Sequence, residues 1–186
     1  MFFVLDKGDD KDELVRLRKA ILQRYRPEGG YRLVPVVDPL RDGQADDYLG
    51  AVQHWHRQRA ALYARLIEEE IGDGETGAFL LWGEPTLYDS TLRIAARMQP
   101  APHSVRVVAG ISSMQVLCAA HAIALNGIGQ PFVVTTGRQL REQGWPPGVD
   151  TAVVMLDGQC SFTELPSHGL HIWWGAYLGM DRQMLD

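Results

Sequence analysis

At 186 residues the chain is long enough for one large domain or two small ones to bury a proper core without metal or disulfide support. Its 46% hydrophobic and 22% charged residues are those of a folded globular protein and exclude a disordered or fibrous chain. A formal net charge of -5 excludes a general nucleic-acid binder, which needs a basic footprint on the phosphate backbone, and no run reaches the ~20 apolar residues of a membrane span.

In chain order, short apolar runs alternate with stretches of helical period, the pattern of an α/β protein with a largely parallel sheet. The opening Met1-Phe2-Phe3-Val4-Leu5 is too short for the core of a secretory signal and predicts a strand over 2–5 that starts without a preceding turn. Leu14, Leu17, Ile21 and Tyr25, at spacings of three and four with Asp12 and Glu13 in the first turn, predict a surface helix. A strand follows over 31–37, then the longest helix over about 46–71. Tyr48, Val52, Trp55, Leu62 and Leu66 mark its apolar face, Glu68-Glu69-Glu70 read as a solvated face, and Gly72 stands where a terminator belongs.

A strand over 78–82 leads into Trp82-Gly83-Glu84-Pro85-Thr86-Leu87-Tyr88-Asp89-Ser90. Gln99-Pro100-Ala101-Pro102 breaks the chain and marks a linker, so two domains are expected, 1–100 and 101–186. Beyond it come a strand over 104–108, the turn Ala109-Gly110-Ile111-Ser112-Ser113, and a helix opened by Ser112 and Gln115 in capping-box spacing that runs through Leu117, Ala120 and Leu125 to Asn126-Gly127. Strands are predicted over 131–135, 152–156 and 170–174, none joined by a hairpin turn. The ending at 180–186 is as abrupt as the beginning, so both ends are expected to be truncated.

Three places could carry chemistry. The Gly83-Glu84-Pro85 loop follows the carboxyl end of a buried strand, where ligands bind in open α/β sheets and where glycine lets backbone approach them, though an ordinary strand-to-helix turn looks the same. Ser112-Ser113 at a helix amino terminus suits a polar or carboxylate-bearing ligand, or is plain N-capping. Met155 and Leu156 end the run Val153-Val154-Met155-Leu156-Asp157-Gly158, where apolar side chains can sandwich a flat base or pack into a core. The histidines, His54 and His56 among them, have no zinc spacing, so no metal is expected, and no GxSxG, Walker lysine or GxGxxG loop is present. Cys118 and Cys160 share no CxxC spacing and are expected to be structural, reduced thiols of a cytoplasmic protein.

The order of these loops, with Pro131-Phe132-Val133-Val134-Thr135-Thr136-Gly137-Arg138 between the second and third, resembles the tetrapyrrole (corrin/porphyrin) methyltransferases along nearly the whole chain. That resemblance implies two α/β domains of the tetrapyrrole methylase type with the active site in the interdomain cleft, a homodimer, and S-adenosyl-L-methionine as cofactor. It implies cofactor binding by Gly83, Glu84, Pro85, Leu87, Tyr88, Ser112, Ser113, Met155 and Leu156. Because a corrin precursor carries many carboxylates, Lys7, Arg93 and Arg138 are candidates to bind it, and each could equally be a solvated charge. Phe2-Phe3-Val4-Leu5-Asp6-Lys7-Gly8, Tyr88-Asp89-Ser90-Thr91-Leu92-Arg93 and Trp174-Gly175-Ala176-Tyr177 look most like the deacetylating members, which implies methylation of precorrin-5 at C1 with loss of acetate. Two departures stand out: Glu84 replaces the family's usual Asp, and the family's first strand and Gly-rich loop would precede Met1. Alternative readings are a methyltransferase of the same fold acting on another corrin position or on a protein side chain, as in diphthamide synthesis, or an inactive cofactor-binding or dimerisation fragment. No general base is assigned.

Overall fold

The computed structural model describes residues 1–6, 12–40, 46–102, 104–166 and 168–186. The chain forms two compact units, Met1–Gly110 and Ile111–Asp186. In the first, β1 (Phe2–Asp6) is the central strand of a parallel three-stranded sheet, between β2 (Leu33–Val37) and β3 (Ala78–Phe79). Phe2 pairs with Leu33 on one side and Ala78 on the other. Parallel neighbours need long crossovers, and α1 (Asp12–Tyr25) and α2 (Tyr48–Glu70) supply them. Pro35 is tolerated within β2 because that strand lies at the edge, where a missing N–H breaks no inner ladder.

The apolar run at the start of the chain becomes the core of this unit. Phe3 is fully buried and stacks on Phe79 at 4.8 Å between ring centroids, and Phe79 stacks on Tyr63 at 4.3 Å. Leu5, Val36, Ala60, Ala64, Ile94 and Met98 complete the cluster, each large apolar side chain contributing about 1.5–3 kcal/mol on burial. Ile94 belongs to the short helix α3 (Thr91–Ala95).

Helix α2 departs from its predicted face. Its buried residues are His56, Arg59, Ala60, Tyr63 and Ala64, whereas Val52, Trp55, Leu62 and Leu66 are only half-buried and Tyr48 is exposed. The stripe turns this way because Arg59 is neutralised inside the unit by Asp38, so a charged position can face inward. Asp47 caps the helix through its side chain, which accepts the Gly50 N–H at 2.9 Å. The stop is an extended Ile71 leading toward β3, not a left-handed glycine at Gly72.

The second unit contains a parallel pair, β4 (Val133–Thr136) and β5 (Ala152–Met155), joined through α5 (Gly137–Gln143). Helix α4 (Ser113–His121) carries the predicted capping box of Ser112 and Gln115, but it ends at a left-handed Ala122, well short of Asn126. The predicted strand over 104–108 does not form: among the described residues nothing pairs with it, and Val105, Val107 and Val108 are exposed. The one over 170–174 is displaced. Trp174 exchanges backbone hydrogen bonds with Asp186, and the antiparallel pair β6 (Gly175–Ala176) and β7 (Met184–Leu185) begins there, a hairpin that the sequence reading lacks. Cys118 is half-buried, while Cys160 is exposed at a left-handed turn position, φ +52, and not the buried thiol expected. Among the described residues no helix is long and apolar enough to cross a membrane.

Candidate functional site

Strand β3 leads into the loop 83–88. Gly83 has φ +72, and a Cβ placed on it would meet nothing within 4 Å, so the backbone here is left-handed and open to whatever approaches. Glu84 turns its carboxylate back on its own backbone. Oε1 accepts from the Thr86 N–H at 2.9 Å and the Thr86 hydroxyl at 2.7 Å, and Oε2 accepts from the Gly110 N–H at 2.6 Å. The Thr86 hydroxyl, then the Thr86 and Gly110 N–H groups, hold this carboxyl below its ordinary pKa. Gly110 comes so close that a Cβ on it would lie 2.1 Å from the Gly83 carbonyl oxygen, which makes glycine obligatory there.

Pro85 is buried and Leu87 half-buried; the Leu87 N–H closes a turn onto the Glu84 carbonyl. Tyr88 is partly exposed and sits at φ +53, a costly backbone for a non-glycine residue. Asp89 steadies the exit: its Oδ1 accepts the Thr91 N–H at 2.6 Å, and its carbonyl accepts from Arg93 Nη1 at 3.2 Å. Arg93 is thus brought to this loop. Lys7 lies outside the described residues.

In the second unit, Ser112 is buried and its hydroxyl donates to Gln115 Oε1, so the capping box occupies it, whereas Ser113 is exposed in the first turn of α4. Met155 ends β5 half-buried. Leu156 follows at φ +54 with 73% of its surface exposed, an apolar side chain projected outward from a strained turn. Arg138 is exposed at the start of α5, and since Thr136 pairs with Met155, Arg138 and Leu156 leave their strands at the same edge of the pair.

Asp157 fixes that edge. Its carboxylate accepts from the Ser161 N–H and hydroxyl, both at 2.7 Å, and Arg141 lies 3.6 Å away. Burial alone would raise its carboxyl, but the Ser161 and Gln159 hydrogen bonds and Arg141 hold it below the ordinary value. A Cβ on Gly137 would lie 2.3 Å from Asp157 Oδ1, so this carboxylate fills the space that glycine leaves.

Sequence reasoning missed a buried polar cluster in the first unit. Asp38, directly after β2, pairs with Arg59 Nε at 2.8 Å; both side chains are almost wholly buried. Arg59 also donates to the Tyr63 hydroxyl and lies 4.5 Å from the Trp55 ring centroid, while Trp55 Nε1 donates to the Pro39 carbonyl. Burial, with Asp38 and Asp89 nearby, pushes the Tyr63 hydroxyl pKa well above its ordinary value despite the opposing charge of Arg59. The one signal in the sequence was the spacing of Trp55, Arg59 and Tyr63 by four, which puts them on one helix face.

Residues 8–185 match the family Tetrapyrrole (Corrin/Porphyrin) Methylases. The chain is 42% identical over 182 residues to the precorrin-6A synthase [deacetylating] of a Sinorhizobium species, an alignment covering 96% of this chain and 69% of that protein. It is similar in structure to a cobalamin synthesis related protein (CobF) of Corynebacterium diphtheriae, with a TM-score of 0.80 and 36% identity over 100% of this chain and 72% of that one.

Proposed function

Because the chain belongs to the tetrapyrrole (corrin/porphyrin) methylases, we propose that it is an S-adenosylmethionine-dependent C-methyltransferase of cobalamin biosynthesis that methylates precorrin-5 at C1 and releases acetate. The observation that carries this reading is the 42% identity, over nearly the whole chain, to a relative named for that deacetylating synthesis. Glycine at 83, open and left-handed, and the outward apolar Leu156 fit a cofactor that offers both a polar chain and a flat base. When bound, S-adenosylmethionine supplies an activated methyl group. The residues of this chain then have to orient and exclude water, tasks worth several orders of magnitude in rate when geometry is right.

In this reading the backbone of 83–85 and the side chains of Leu87 and Tyr88 receive the cofactor in the first unit. Ser113 meets its polar end in the second, Ser112 holds the helix end that presents it, and Met155 with Leu156 covers the base. Arg93, Arg138 and Lys7 draw the carboxylates of the substrate. The protein is taken to be a cytoplasmic homodimer, as the family resemblance implies.

Incubation with precorrin-5 and S-adenosylmethionine should give S-adenosylhomocysteine and acetate in equal amounts, read by mass spectrometry of the tetrapyrrole and an acetate assay. Methyl gain without acetate would overturn the deacetylating assignment and leave a plain methyltransferase. Calorimetric titration with S-adenosylhomocysteine tests the cofactor alone, and no heat of binding would sink the methyltransferase reading.

A further inference from the structure

The segment after β5 holds two non-glycine residues in the left-handed region, Leu156 at φ +54 and Cys160 at φ +52. Such backbone is costly for a side chain of this size and persists only where the surroundings over-determine it. Between the two, Asp157 closes the segment on itself. Its carboxylate accepts the Ser161 N–H and hydroxyl, both at 2.7 Å, and the Gln159 N–H at 3.4 Å. Arg141 of α5 donates to the same Ser161 hydroxyl. Ser161 is 1% exposed, and the carboxylate occupies the space where a Cβ at Gly137 would stand, so the closure is anchored from the interior.

That closure does not bury its neighbour. Leu156 stays 73% exposed at the carboxyl edge of the parallel pair, beside the start of α5. An interior lock that keeps an exposed apolar side chain on strained backbone has its explanation in what that side chain meets. We infer that Asp157 is a positioning residue of the cofactor site, whose closure onto Ser161 holds the 155–157 turn so that Leu156 meets the flat base without rearranging. The inference rests on the proposed function for the identity of that base. Asp157 itself touches no ligand, because Ser161, Gln159 and Arg141 occupy its carboxylate. It acts by removing the cost of ordering the turn on binding.

Calorimetric titrations with S-adenosylhomocysteine test this on the 186-residue chain as wild type, Asp157→Asn, Leu156→Ala and the double variant, with melting temperatures taken in parallel. Asp157→Asn should weaken binding about fivefold or more, and the double variant should bind within about twofold of Leu156→Ala, because the lock has nothing left to present. Melting temperature should behave differently: Leu156 is exposed, so the loss caused by Asp157→Asn should be the same in either background. 5′-Methylthioadenosine, which keeps the base and lacks the amino-acid end, should lose affinity for Asp157→Asn by the same factor. Should Asp157→Asn not fold, Ser161→Ala removes the closing hydroxyl from the other end and carries the same expectations. Wild-type affinity in Leu156→Ala or in Asp157→Asn would overturn the positioning role. Losses that multiply in the double variant would also overturn it, by making Asp157 a support of the fold alone, and would leave the cofactor reading in place. A loss confined to S-adenosylhomocysteine would place the effect at the amino-acid end and sink the inference in the same way. Failure of wild type to bind either ligand would overturn both the inference and the proposed function.

Discussion

Glu84 stands where the family resemblance leads one to expect an aspartate, and the longer side chain has defined partners here. The carboxylate bonds Thr86 and Gly110 and spends its acceptors inside the protein. Its role is therefore to hold the loop, which leaves the backbone for the cofactor contact proposed above. Glu84→Asp, one methylene shorter, should change affinity for S-adenosylhomocysteine by less than about tenfold in a calorimetric titration. Gly110→Ala should cost more than that, because its Cβ would have to displace the Gly83 carbonyl from 2.1 Å. A greater loss in Glu84→Asp than in Gly110→Ala would mean that the carboxylate touches the ligand directly. The Gly-Glu-Pro run and the Gly-Ile-Ser-Ser run were legible as loops from their residue types. Their link was not, since nothing in either run says that a side chain at 84 reaches residue 110.

Among the elements, the parallel strands were legible where apolar runs meet a partner, as for Phe2–Asp6 beside Leu33–Val37. They were illegible where the run has none, as over 104–108. The turn after β5 shows the same limit. Asp157 reads as a simple loop residue, yet the fold gives it Ser161, Gln159 and Arg141 as partners and lowers its pKa. A carboxyl depressed in the folded state stabilises above its unfolded value, about 3.9 for Asp, and that contribution is lost as pH falls through the folded value. Thermal melts on acidification below about pH 3.9 should therefore show the wild type losing melting temperature faster than Asp157→Asn. Parallel curves in that window would mean that the Asp157 hydrogen bonds do not support the fold.

For the molecule as a whole, the buried apolar cluster lies between Phe3 and Met98, and Leu140 is the one fully buried large apolar residue among the described residues of the second unit. Cohesion is concentrated in the first unit. Ile94→Ala, at a fully buried site, should destabilise by about 2–5 kcal/mol in urea unfolding and speed hydrogen exchange at the β1 and β2 amides. A change under about 1 kcal/mol would mean that the site collapses around the smaller side chain, a relaxation on which such costs depend. The Asp38–Arg59 pair inside the same unit was illegible for a general reason: a lone arginine on a helix looks like a solvated charge until a carboxylate from another element is placed against it.

The contact between Gly110 and the Gly83 carbonyl also reaches beyond one molecule. A side chain at 110 can be admitted only if the backbone at 83–84 is reshaped in the same step, and Glu84 grips the 110 amide from the other side. The two segments, 26 residues apart, are therefore not free to drift separately through a lineage. A chimera that takes one from this chain and the other from a relative therefore joins halves with no history together, and its melting temperature should fall below that of either parent.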